Sequence, residues 1–156
     1  MSAPRRPRKP EWSRPRRNGS EVVGASAKEV GVPTHARVGR SLFALLASAF
    51  VAGVLVQVFF AGMGAFGADW SWHLTFVHFL EPLPLLMIPA AFIGRLSWGL
   101  RLLPVGLLVL IGAQYAFAGA AVPAAALHPV NALLIFLISL LTARRAWAAV
   151  ARQKRG

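Results

Sequence analysis

Eight polar or ionisable side chains stand out in the apolar part of this 156-residue chain: Gln57, His73, His78, Glu81, Gln114, Tyr115, His128 and Asn131. Their types define the chemistry open to it. His73 and His128 are the kind of pair that can ligate a haem iron from opposite sides inside a helical bundle, because the porphyrin supplies the remaining donors. Gln57 and Gln114 each carry a donor and an acceptor, which suits bonds between helices or the head of a quinone or lipid. His78 and Glu81 lie three residues apart, hence on one helical face, where they can relay a proton or hold a cation. The alternative for Glu81, next to Pro82, is to accept hydrogen bonds from backbone donors at a broken helix.

Other chemistry lacks its residues. With no cysteine there are no disulfides, thiolate metal sites or cysteine nucleophiles. Three of the five acids (Glu11, Glu21 and Glu29) fall in the N-terminal tail, so paired-carboxylate catalysis is close to excluded. No Ser-His-Asp arrangement, P-loop, dinucleotide fingerprint or HExxH motif is present. No catalytic residue and no dedicated metal site is therefore expected.

The elements that must position these side chains are membrane spans. The chain is 56% apolar with a mean hydropathy of +0.58, too apolar for a soluble domain of this size. Apolar runs cover about 41–66, 73–94, 102–122 and 125–143, each close to or beyond the roughly 20 residues a helix needs to cross a bilayer. The fold class that follows is an all-α bundle of four transmembrane helices. The first run is too long for a secretory h-region, and Arg16-Arg17 stands too far ahead of it for a twin-arginine signal, so it reads as an uncleaved span. The second contains Pro82, Pro84 and Pro89, each of which should kink it.

Residues 1–40 are rich in Pro and Arg without apolar periodicity and read as a disordered basic tail; residues 148–156 form a short basic C-tail. Lys and Arg number ten before the first span, none in the first loop, two in the second, none in the third and five after the last. The positive-inside rule then puts both termini in the cytoplasm, with the protein in the cell inner membrane. The net charge of +12 is in this reading a topology signal and not a nucleic-acid surface. All eight polar residues fall at the extracytoplasmic end, flanked by Trp70 and Trp72, with Trp98 and Trp147 at the inner interface. The inner half offers little beyond Ser48, Ser139 and Thr142, whose hydroxyls can bond back to their own helices.

The chain also repeats itself. Gln57-Val-Phe-Phe-Ala-Gly62 and Gln114-Tyr-Ala-Phe-Ala-Gly119 match at four of six positions with an offset of 57, and His73 and His128 follow with an offset of 55. Both halves begin on the same side, so duplication would give two helical hairpins related by an axis along the membrane normal. Gly53, Gln57 and Ala61 form a stripe whose small members admit a close partner helix.

The pattern Gln57-x-x-x-Ala61-Gly62-x-Gly64-x-Phe66-Gly67, then His73, then Leu127-His128-Pro129-x-Asn131-Ala132 resembles a family of small bacterial four-span membrane proteins known only as a domain of unknown function. The likeness covers about residues 40–147. It implies a four-helix membrane fold and draws attention to the His and Gln positions, but it brings no activity. The leading functional reading is a non-enzymatic accessory or structural bundle whose polar end packs helices or contacts another membrane protein or a second copy. The alternative is a haem-, quinone- or proton-handling component using His73, His128, Gln57 and Gln114. A third reading makes the basic tail the working part, held on anionic lipid headgroups.

Overall fold

The computed structural model describes residues 33–153. The disorder and lipid contacts expected for residues 1–32, and the last three residues of the C-tail, lie outside the described residues. Pro33 opens the first helix, α1 (Thr34–Ala65), with its carbonyl accepting from the backbone N–H of Ala36 and Arg37 at 2.9 and 3.1 Å. Then follow α2 (Ser71–Leu80), α3 (Pro82–Ile93), α4 (Trp98–Ala118), a 3₁₀ turn (Ala124–Ala126) and α5 (Leu127–Gln153). With α2 and α3 counted as one element, four helices are long and apolar enough to cross a membrane. The chain is an all-α, four-helix membrane bundle.

The helices overrun the apolar runs. Helix α1 starts at Thr34, seven residues before Ser41, so part of the tail assigned to residues 1–40 is helical. Helix α5 continues past Arg144-Arg145 to Gln153, through part of the expected C-tail. Hydropathy marks the lipid-buried length, whereas a helix once nucleated propagates cheaply through Arg, Ala and Gln. Helix α4 begins at Trp98 and ends at Ala118, about one turn earlier at each end than the run 102–122. The second span divides at Glu81, because Pro82 and Pro84 bring no N–H to the ladder. Glu81 keeps helical angles (φ −56°, ψ −41°), so the seam does not reverse the chain.

Two tight turns are closed by the same motif with different residues. After α1, Gly67 adopts φ +96°, and the N–H groups of Gly67 and Ala68 bond the carbonyls of Gly64 and Met63 at 3.1 and 2.9 Å, a Schellman closure. After α3, Arg95 takes the left-handed position at φ +48°, with the Arg95 and Leu96 N–H groups bonding Phe92 and Ala91 at 3.0 Å each. The adjacent Gly94 serves another purpose. It packs on Gly39 of α1, where a Cβ on Gly39 would meet the Gly94 Cα at 2.8 Å, and Arg40 Nε donates to the Gly94 carbonyl at 2.9 Å. Both glycines are fixed by backbone proximity.

Around the bundle the order is α1, α2–α3, α4, α5, and α5 closes on α1. At the end carrying the termini, Phe43, Ala44, Ala47, Met87, Ala90, Ala91, Ala143 and Ala146 form a dense core; alanines on three helices let the backbones approach closely. Midway, Phe50, Val54, Leu80, Leu107 and Ile135 form a second core. The Gly53 face of the small-residue stripe is covered by the Leu80 side chain. Beyond that level, at the loop end, the four helices line a partly open cavity instead.

Candidate functional site

Each hairpin fastens itself by the same exchange. In the first, Gln57 Nε2 on α1 donates to the His73 carbonyl on α2 at 2.9 Å, and His73 Nδ1 lies 3.3 Å from the Gln57 carbonyl. In the second, Gln114 Nε2 on α4 donates to the His128 carbonyl on α5 at 3.0 Å, and His128 Nδ1 lies 3.1 Å from the Gln114 carbonyl. A carbonyl oxygen only accepts, so each Nδ1 is the donor in these contacts and Nε2 is the ring nitrogen left for another partner. The two rings face across the bundle with centroids 6.5 Å apart and planes inclined at 54°. The Trp70 ring stands edge-on to His73 at 5.5 Å.

Both histidines line one cavity of about 600 Å³, together with Gln57, Glu81, Gln114 and Tyr115 among otherwise apolar side chains. Ala61 of α1 and Ala118 of α4 line it too; they hold equivalent places in the sequence repeat, so small residues flank the space from both hairpins. Among the described residues no three His, Cys, Asp or Glu side chains gather as a metal-binding group.

The hairpins differ one turn deeper. Asn131 Nδ2 donates to the Leu110 carbonyl at 2.8 Å and to Gln114 Oε1 at 2.5 Å, so the second glutamine uses both ends of its amide. At the offset of 55 that relates the two histidines, the counterpart of Asn131 is Phe76, and Gln57 Oε1 is buried with no partner. The sequence pointed to Asn131 only as a polar residue near the start of the last span; its two partners lie 21 and 17 residues away and no spacing rule names them.

Glu81 forms a separate cluster. Tyr115 Oη of α4 donates to its Oε1, and its Oε2 has only His78 Nδ1 at 3.5 Å. The carboxylate caps no backbone donor, so the helix-capping role weighed for it is not the one seen. The Tyr115 link spans 34 residues and left no trace in the sequence beyond residue type. The three hydroxyls of the opposite end do bond their own helices, Ser48 to the Ala44, Ser139 to the Phe136 and Thr142 to the Ile138 carbonyl. Ser48 also accepts from Trp147 Nε1 at 2.9 Å.

Residues 57–122 match the model of a family described as a family of unknown function (DUF6220). That stretch includes Gln57, His73, His78, Glu81, Gln114 and Tyr115 and stops before His128. No curated protein and no solved structure matches the chain.

Proposed function

We propose that this chain is a membrane haem protein in which His73 and His128 hold the iron from opposite faces, between the hairpin α1–α2 and the hairpin α4–α5. The reading is carried by one observation: two imidazoles, each anchored at Nδ1 to a main-chain carbonyl, with ring centres 6.5 Å apart. Coordination through both Nε2 atoms at the usual metal–imidazole length of about 2 Å would put the ring centres roughly 6 Å apart. A carbonyl behind each Nδ1 is the usual second support of a ligating histidine, since it fixes the tautomer and the ring orientation. The cavity of about 600 Å³ is of a size for a porphyrin, and without cysteine the attachment would be non-covalent. The bound group would supply a one-electron couple. The protein's own part is to orient both ligands and keep the surroundings apolar, with Gln57 and Gln114 fastening the hairpins that carry them.

By the distribution of Lys and Arg, the end with the termini faces the cytoplasm and the histidine end the other side. The test is expression with haem supplied, purification in mild detergent and an absorption spectrum. The expected result is one low-spin haem per chain, lost in His73→Ala and in His128→Ala, with imidazole restoring the bands of His73→Gly. A folded, haem-free protein under those conditions would leave the glutamine–histidine exchanges as fasteners of an accessory bundle and nothing more.

A further inference from the structure

We infer that the side of the bundle between α2 and α4 is a binding site for a membrane quinone, whose ring oxygen is held by Glu81, itself fixed by the Tyr115 hydroxyl. This site opens from the same cavity as the histidine pair, with the quinone ring at its α2–α4 opening.

Three observations carry it. First, α2 packs on α1 and α3, and among the described residues it makes no packing contact with α4. The cavity is open on that side, and Leu74 and Val77 of α2 and Ile111 and Ala118 of α4 are among the residues that line it. Second, the polar groups at this opening look outward. Tyr115 is 50% exposed, and the side chains of His78 and Glu81 are 68% and 33% exposed. On a surface that lies in lipid, such groups are costly unless something polar meets them. Third, one acceptor is only loosely engaged. Tyr115 occupies Oε1 of Glu81, while the 3.5 Å contact of Oε2 with His78 exceeds an ordinary hydrogen bond.

Depth selects the ligand. Glu81 lies eight residues beyond His73, about 12 Å along the helix, below the level where Trp70 and Trp72 meet the headgroups. Phospholipid headgroups stay at that interface, whereas the ring of an isoprenoid quinone moves within the hydrocarbon. The carboxyl group also fits both oxidation states of such a ring. Ionised, Oε2 accepts from a hydroquinone hydroxyl; protonated, it donates to a quinone carbonyl. The apolar walls above and beside it take the ring and the first part of the tail.

The experiment uses the full chain in phospholipid nanodiscs with a photoreactive azido-ubiquinone analogue, followed by peptide mapping. Labelling is expected on residues 74–81 and 111–118, displaced by unlabelled ubiquinone and not by added cardiolipin. Glu81→Gln, which alters the bond to the ring, and the conservative Tyr115→Phe, which frees the carboxyl group, should each weaken labelling about fivefold or more. Labelling elsewhere, displacement by cardiolipin, or equal labelling of Glu81→Leu/Tyr115→Phe would overturn the inference. The haem spectrum is recorded on the same samples. Displaceable labelling without haem would sink the haem reading alone, and haem without displaceable labelling would sink the quinone site alone.

Discussion

The hairpin α1–α2 and the hairpin α4–α5 fasten a histidine in the same way, yet only the second is fully bonded. Gln114 donates to the His128 carbonyl and accepts from Asn131, which also reaches the Leu110 carbonyl. Gln57 donates to the His73 carbonyl and leaves a buried oxygen without a partner. A buried acceptor without a donor is a cost, and in the first hairpin Phe76 replaces the residue that would supply one. The comparison teaches that the repeat preserves the exchange between glutamine and histidine while the bonding behind it is unequal: His128 is backed by a connected network and His73 by a single exchange.

Perturbing each side in turn breaks or sharpens this contrast. The largest effect is expected from the histidines themselves, since His73→Ala or His128→Ala should each cut haem affinity by at least about 100-fold in a titration of the apoprotein. Next, Gln114→Leu strands Asn131 and should destabilise the bundle by about 1–3 kcal/mol in a denaturant or SDS unfolding titration. Gln57→Leu, which removes one bond and one unsatisfied oxygen, should cost only about 0.5–1 kcal/mol in the same assay. Equal losses would erase the distinction between the hairpins. A double-mutant cycle of Gln114→Leu with Asn131→Leu should show coupling of about 1 kcal/mol, because the two side chains share a bond. Neither glutamine substitution removes the main-chain carbonyl behind the histidine, so haem spectra should persist in both.

The smallest effect concerns the loops. Asp69, before α2, accepts from the Ser71 hydroxyl at 2.5 Å and from the Ser71 N–H at 3.0 Å. The hydroxyl first and the amide second hold its carboxyl below the usual aspartate range. A group with a depressed folded value supports the fold above its unfolded value and loses that support as pH falls through the folded one. The α1–α2 turn should therefore loosen on acidification below the ordinary aspartate range, read as a change in Trp70 fluorescence that Asp69→Asn abolishes. The loop between α4 and α5 contains no acid and should give no such transition.

How much of this was legible follows from which interactions are local. Four apolar runs gave four spans because hydropathy and helix length are properties of a single segment. The seam at Glu81 was visible in Pro82 and Pro84, since proline acts on its own backbone, but Pro89, marked as a further break, lies inside helix α3 without dividing it. Helix ends at Thr34 and Gln153 were missed because interfacial helix turns are polar and carry no hydropathic mark. The order Gln, Ala-Gly, His announced the repeat, but that each glutamine would take a histidine's main-chain carbonyl depends on the packing of two helices. Tyr115 and Glu81 meet across the α2–α4 side, and only the order of helices around the bundle brings them together.

The glycine contact between α1 and α3 has a consequence at the other end of the molecule. Gly39 and Gly94 pin two long rods like the pivot of a pair of tongs, while the jaws open around the histidines. From Gly39 to Gln57 is eighteen residues, so one degree of change at the pivot moves the jaw by about 0.5 Å. Gly39→Ala would act as a wedge there and alter the gape between His73 and His128 without touching either. The spacing between the two histidines is thus tied to distant positions, two glycines whose contribution is the side chain they lack.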